Sequence, residues 1–189
     1  MRDVLDRDRA IRELARDVAQ RFNARFGETF VVPEARIPTV GARIMDLQEP
    51  TNKMSTTAES DAGVIRVLDD PKVVEKKVKS AVTDSGSEVV RAPDKPGITN
   101  LIDILAVIRE VEPSAIEGEF NGSGYGQFKT AVAEEVVSYL APVRERYQEL
   151  RPDETQLHSI LRSGAEKAHA IAQPIVAVAG DRMGVGPAS

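Results

Sequence analysis

The chain has no cysteine among its 189 residues, so disulfides, thiolate nucleophiles and cysteine-ligated zinc are excluded, and a reducing compartment is compatible with that lack. Histidine is nearly as scarce. The two present, His158 and His169, lie about three helical turns apart, too far along one axis to share a metal, and read as ordinary helical histidines. A basic excess is missing too: 25 Lys and Arg against 30 Asp and Glu give a net charge of -5, so any contact with nucleic acid must be local. No apolar run approaches the roughly 20 residues of a membrane span. The opening "MRDVLDRDRAIREL" alternates charges where an export signal needs an apolar core. A soluble, unexported, cytoplasmic protein without a membrane partner is the expectation.

Familiar catalytic motifs are also absent. The sequence holds no GxSxG, GxxxxGK[ST] or HExxH. "GSGYGQF" follows no strand, so its glycines read as a turn entering a helix rather than a dinucleotide loop.

What is present is a helical pattern with enough apolar residues, 41%, to fill one core or one and a half small ones. Ile11, Leu14, Ala15, Val18, Phe22 and Phe26 recur at helical spacing and Gly27 stands at a C-cap, predicting a helix over about Asp8 to Phe26. "ETFVVPEA" is short, β-branched and halted by Pro33, predicting one strand, with a short extended or helical piece around "VGARIMDL". After Gly63 the pattern is almost wholly helical. Pro71 opens one helix, "NLIDILAVIREV" forms another after a "KPG" turn, and "SAIEGEF" makes a brief one. Two long helices follow, one on Phe128, Val132, Val136, Leu140, Val143, Tyr147 and Leu150, the other on Leu157, Leu161, Ala165, Ala168 and Ile171 with a kink at Pro174. "GDRMGVGPAS" reads as a frayed tail.

Two stretches carry possible chemistry. Lys72, Lys76, Lys77 and Lys79 cluster on one predicted helix, and Lys72, Lys76 and Lys79 share a face that could meet an RNA backbone or could simply be solvated. "PTNKMSTTAESDAG", Pro50 to Gly63, sets one lysine among small hydroxyl residues with almost nothing apolar to bury. Its composition alone favours a solvated loop. The same residues also suit a phosphate cradle, because an ammonium on a flexible stem can follow charge while hydroxyls and loop amides donate to oxygens.

"KMSTT", Lys53 to Thr57, resembles the KMSKS loop of class I aminoacyl-tRNA synthetases. The surrounding stretches are similar to bacterial-type tryptophanyl-tRNA synthetases: "RFGETFVVPEARIPTVGARIMDLQEPTNKMS", "LDDPKVVEKKVKSAVTDS", "KPGITNLIDILAVI", "GYGQFKTAVAEEVVSYLAPVRERYQEL", "GAEKAHAIA" and "RMGV". The likeness runs from about Leu14 to Val185, with several independent stretches in the family's order.

The resemblance implies a mainly α fold: residues 1–69 as a partial α/β (Rossmann) remnant bearing the loop at 53–57, and residues 70–189 as a helical, bundle-like domain that binds the tRNA anticodon. It implies the substrates tryptophan, ATP with Mg2+ and tRNA(Trp). In such a reaction the tryptophan carboxylate attacks the α-phosphate, pyrophosphate leaves, and the adenylate passes tryptophan to the tRNA 3′ end. Lys53 would neutralise the leaving pyrophosphate, Ser55 would donate to it, the backbone at Met54 would lie near adenosine, and Thr56 would offer a hydroxyl where the motif has a second lysine. Lys72, Lys76 and Lys79 become tRNA-contact candidates. A homodimer, or a complementing amino-terminal half, is the implied protein partner.

Departures limit what transfers. The family's HIGH motif does not occur in these residues, and the Gly-acidic-Asp-Gln segment followed by a histidine is replaced by Leu5, Asp6, Arg7, Asp8 and then Ile11. The expectation is therefore a tryptophan–tRNA ligase portion whose activity alone is incomplete. The alternative is a non-catalytic synthetase-like protein that binds tRNA, ATP or a protein.

Overall fold

A computed structural model describes residues 4–34, 40–57 and 60–185. Among them six α-helices form, joined by turns and extended segments: α1 (Val4–Phe26), α2 (Pro71–Lys79), α3 (Pro96–Arg109), α4 (Pro113–Glu119), α5 (Gly124–Leu150) and α6 (Glu154–Met183), with one 3-10 turn at Asp61–Gly63. The architecture is mainly α, as the periodicities imply. The chain divides into two compact units, residues 37–149 and residues 1–36 with 150–189.

The first unit owes its cohesion to α3. Its "ITNLIDILA" sequence is apolar around most of the helix circumference, and accordingly Ile98, Leu101, Ile102, Leu105 and Ala106 are all buried. Around it lie Val74 and Val78 of α2, Ile116 of α4, and Phe128, Val132 and Val136 of α5, in one continuous cluster. Phe120 meets Phe128 edge to face with ring centroids 5.1 Å apart, the geometry aromatic quadrupoles prefer. Helix starts follow local chemistry: Pro71 occupies the first turn of α2 while the Asp70 carboxylate accepts from the Lys72 backbone N–H at 2.8 Å. Arg109 of α3 pairs with Glu119 of α4 at 2.8 Å and Glu135 of α5 at 2.9 Å, a polar clasp on the rim of the same core.

The second unit contains α1 and α6. Phe22 stacks near Phe26 and Phe30, centroids 4.9 and 4.8 Å away. The Asn23 amide organises the segment after the helix: its oxygen accepts from the Thr29 and Phe30 N–H groups at 3.0 and 2.9 Å, and its nitrogen donates to the Phe30 carbonyl at 2.7 Å. Those bonds explain a correction. The strand expected at "ETFVVPEA" does not form over its described residues, because Phe30 satisfies its backbone on Asn23 rather than on a neighbouring strand. Val31 is consequently 93% exposed.

Two further expectations change. α1 begins at Val4, earlier than Asp8, and Leu14 and Val18 on its apolar stripe remain 62% and 55% exposed. α6 continues past Pro174 to Met183. The supposed frayed tail is therefore helical as far as Met183, capped by Gly184 in the left-handed region at φ 72°, while Arg182 donates to the Glu28 carbonyl at 2.8 Å and to Thr29 Oγ1 at 2.6 Å.

Candidate phosphate-binding loop

Lys53 sits on the second arm of a narrow antiparallel hairpin. Asp46 N–H donates to the Asn52 carbonyl at 2.8 Å and Met54 N–H to the Ile44 carbonyl at 2.9 Å, so Met45 and Lys53 face each other between two cross-chain hydrogen bonds. Sequence periodicity could not show this, since each arm is only a few residues long and the pairing is a single bridge.

The tip of the hairpin is fixed by a buried carboxylate. Asp46, 8% exposed, accepts from the Gln48 and Glu49 N–H groups at 2.8 and 3.0 Å, the local turn that short acidic side chains make. Gly63 packs on that carboxylate so closely that an added Cβ would lie 1.9 Å from Asp46 Oδ1; only glycine fits there. Leu47 between them donates to the Gly63 carbonyl at 2.9 Å and accepts from Val82 N–H at 2.7 Å.

Beyond Lys53 the hydroxyls organise one another. Thr57 N–H donates to Ser55 Oγ at 3.2 Å and the two hydroxyls lie 3.0 Å apart. Ser60 caps the 3-10 turn by accepting from Ala62 N–H at 3.3 Å. Lys53 and Thr56 are exposed; Met54 and Ser55 are half-buried. Two recesses of about 320 and 350 Å3 flank the hairpin, and Lys53 and Ser55 line both. Asp46, Asn52 and Ser60 wall the first, while Arg43, Met54 and Thr56 wall the second. A cation, hydroxyls and a concave wall in one place are what an anionic oxygen cluster requires.

The exit of the loop is pinned from α2. Lys77, a member of the lysine cluster, is only 7% exposed, and its ammonium donates to Asp61 Oδ2, Asp69 Oδ2 and the Val64 carbonyl, each at 2.8 Å. Three donors thus meet three acceptors. Burial works to lower the Lys77 pKa, but the bonds with Asp61 and Asp69 outweigh it and hold the ammonium above the ordinary lysine value. Lys77, then Arg66 at 2.9 Å, hold the Asp61 carboxyl below the usual carboxylate range. Lys72, Lys76 and Lys79 are exposed on the same helix and line one shallow surface recess with Glu75; Lys79 pairs with Glu75.

The site residues expected from sequence are therefore of two kinds. Lys53, Met54, Ser55 and Thr56 gather at the hairpin, and Lys72, Lys76 and Lys79 form a separate stripe. Sequence reasoning missed Asp46, Gly63 and the buried role of Lys77; the only prior signals were a lone acid inside an apolar run and a lysine out of phase with its neighbours. His158 and His169 are both exposed on α6.

The model for "tRNA synthetases class I (W and Y)" matches residues 8–141, which include the hairpin and α2 to α4. The chain belongs to that family. Among its relatives, tryptophan–tRNA ligase 1 of Streptomyces coelicolor is 50% identical over 165 residues, 87% of the chain and 48% of the relative. The tryptophan–tRNA ligase of Mycobacterium leprae is 45% identical over 176 residues, 93% of the chain and 51% of the relative. A crystal structure of tryptophanyl-tRNA synthetase from Mycoplasma pneumoniae superposes with a TM-score of 0.80 at 30% identity, covering 93% of this chain and 55% of that one. The Campylobacter jejuni enzyme complexed with ADP and tryptophan gives 0.59 at 29% identity, covering 92% and 53%. The family chain spans about half the length of these curated relatives.

Proposed function

We propose that this chain contributes the leaving-group side of tryptophan activation in a tryptophan–tRNA ligase, with Lys53 as its catalytic residue. The observation that supports it is the hairpin, which sets Lys53 and Ser55 on the rims of two recesses in a chain half-identical to such a ligase. As the tryptophan carboxylate attacks the α-phosphate of ATP, the bond to pyrophosphate breaks and negative charge moves onto the departing oxygens. An ammonium at Lys53 stabilises that charge more than it stabilises ground-state ATP, so its contribution falls on kcat. Ser55 donates its hydroxyl, the Met54 backbone borders the adenosine, and Thr56 adds a neutral hydroxyl. Mg2+ enters with the nucleotide phosphates in this reading.

The division of roles is functional: residues 1–69 carry the phosphate loop and residues 70–189 the helical surface that meets tRNA(Trp). Lys72, Lys76 and Lys79 on α2 supply phosphate contacts, which release counterions and make binding fall as salt rises. A complementing amino-terminal half supplies the HIGH motif, which these 189 residues do not carry; a homodimer is the alternative protein partner. The cytoplasm is the compartment in which such a ligase acts.

The test is tryptophan-dependent exchange of pyrophosphate into ATP. The chain alone is expected to give none, because one side of a phosphate clamp cannot orient both reactants. Mixed with the amino-terminal half of a tryptophan–tRNA ligase, exchange should appear, and Lys53→Ala should lower kcat more than it weakens ATP binding. Thr56→Lys should preserve or raise the rate. An unchanged rate in Lys53→Ala overturns the assignment. The non-catalytic alternative is read in parallel by titrating tRNA at two salt concentrations: specific binding with no exchange in the mixture favours it.

A further inference from the structure

The hairpin has an outer edge that no strand among the described residues covers. Because Met45 and Lys53 form a pair flanked by, rather than sharing, the cross-chain hydrogen bonds, the Met45 N–H and C=O both point away from Lys53. In a sheet a third strand would take them. Here one side chain does: Asn100 of α3 accepts from Met45 N–H through Oδ1 at 2.8 Å and donates through Nδ2 to the Met45 carbonyl at 2.9 Å. Asn100 is 4% exposed and stands between Ile98 and Leu101, both fully buried, on α3. A primary amide carries a donor and an acceptor in one plane, as a peptide group does, so it fixes both the position and the tilt of the arm it meets. Aspartate has the shape but no donor, leucine has neither group, and glutamine places the amide one methylene further out.

We propose that Asn100 is a positioning residue for the phosphate loop: by standing in for a third strand, it locks the Met45 arm, and through the Met45–Lys53 pairing the Lys53 ammonium, to the core of the helical body. α3 lies within the region assigned above to tRNA contact, so the amide is a direct link between that body and the chemistry of the leaving group. The inference rests on the reading of Lys53 as the phosphate contact, but the geometry at Met45 stands without it. Leu47, two residues along the same edge, is held by Gly63 and Val82 of connecting segments, whereas Asn100 anchors Met45 from a core helix.

Amide hydrogen exchange on 15N-labelled chain, with and without inorganic pyrophosphate as the probe, separates the two ideas. In Asn100→Ala and Asn100→Asp, exchange at Met45, Asp46 and Met54 should quicken roughly tenfold or more, since each variant removes at least one hydrogen bond of a buried pair. The Ile102 and Leu105 amides of α3 should stay protected, showing that the helix remains folded. Pyrophosphate affinity, read from the Ser55 and Thr56 amide shifts, should fall severalfold in both. Lys53→Ala should weaken pyrophosphate binding while leaving hairpin exchange at its original rate.

Asn100 variants with α3 intact but unchanged exchange at Asp46 and Met54, or unchanged pyrophosphate affinity, overturn the positioning role. An original chain that does not bind pyrophosphate, or Lys53→Ala with full affinity, overturns the phosphate reading and leaves the hairpin result to stand on exchange alone. Should both Asn100 variants lose protection throughout α3, the unsubstituted chain decides: in rising urea the Met45 amide should open together with Ile102 and Leu105. Met45 exchanging as freely as the exposed loop at Thr56 overturns the proposal.

Discussion

The two compact units are built from similar helical sequences yet differ in what their apolar residues touch. In residues 37–149, α3 is enclosed and seventeen buried side chains form one cluster. In residues 1–36 and 150–189, the described buried apolar side chains are Ala19 and Ala179, while Leu161, Ile171 and Val176 on α6 are 68%, 73% and 60% exposed. Amphipathic spacing is thus a statement about one helix, and burial depends on what meets it. The candidate phosphate loop belongs to the enclosed unit, which suits the role proposed for Lys53.

The largest test of that contrast is truncation of core residues. Leu101→Ala or Phe128→Ala should destabilise residues 37–149 by about 3–5 kcal/mol, because each leaves a cavity in a closed cluster. Ile171→Ala should change stability by no more than ~0.5 kcal/mol, having little burial to lose. Urea unfolding followed by circular dichroism for the first pair, and by exchange on α6 for the second, checks both. Equal losses would erase the distinction between the units.

Next in size is the polar pin at the loop exit. Lys77→Met should cost about 2 kcal/mol, since three acceptors lose their donor and Asp69 is left behind without its cation. The loss should appear in urea unfolding and as faster exchange over residues 60–66. The sign of its pH dependence follows from the pKa directions. Lys77 is raised, so its contribution is whole below the ordinary lysine value and disappears only as pH rises through the folded value. Asp61 is lowered, so its contribution is present above the usual carboxylate value and is lost as pH falls through the folded one. Acidification below about pH 4 should therefore loosen the loop exit, read as Val64 amide exchange, whereas the range between pH 5 and 9 should leave it unchanged.

A smaller effect than that of the pin belongs to a latch away from the loop. Tyr125 OH donates to both Asp84 oxygens at 2.8 and 2.7 Å, tying the start of α5 to the segment after α2. Burial and then the bond to Asp84 push the phenol well above its usual value. Burial works against the Asp84 carboxylate, but the Tyr125 and Gly86 donors hold it below the usual range. Tyr125→Phe should cost about 1 kcal/mol in urea unfolding, with no change at the hairpin. A larger loss would place the latch among the core supports.

Where the sequence was legible, the signal was a period and a stop. Pro71, Pro96 and Pro113 each stand in a first helical turn, and Phe128, Val132 and Val136 are buried as their spacing implies. "GSGYG" is a turn into α5, with Gly122 and Gly124 at positive φ. Where it was not legible, a tertiary partner decided. "TFVV" has strand propensity, but Asn23 took the backbone of Thr29 and Phe30, and among the described residues no second strand pairs with it. Leu14 and Val18 follow the helix period without being buried. At the site, Lys53, Ser55 and Thr56 were visible as a loop motif, whereas Asn100 and Asp46 act through contacts 55 residues apart or through a two-residue turn, which no local pattern reports.

The most direct measurement of the central claim is the titration of the 189-residue chain with inorganic pyrophosphate, followed by 15N amide shifts. Perturbation should concentrate at Lys53, Ser55 and Thr56, weaken with rising salt, and fall severalfold in affinity in Lys53→Ala while the α3 amides keep their positions. Shifts that spread over Lys72, Lys76 and Lys79 instead, with Lys53→Ala binding as tightly as the original chain, would contradict it.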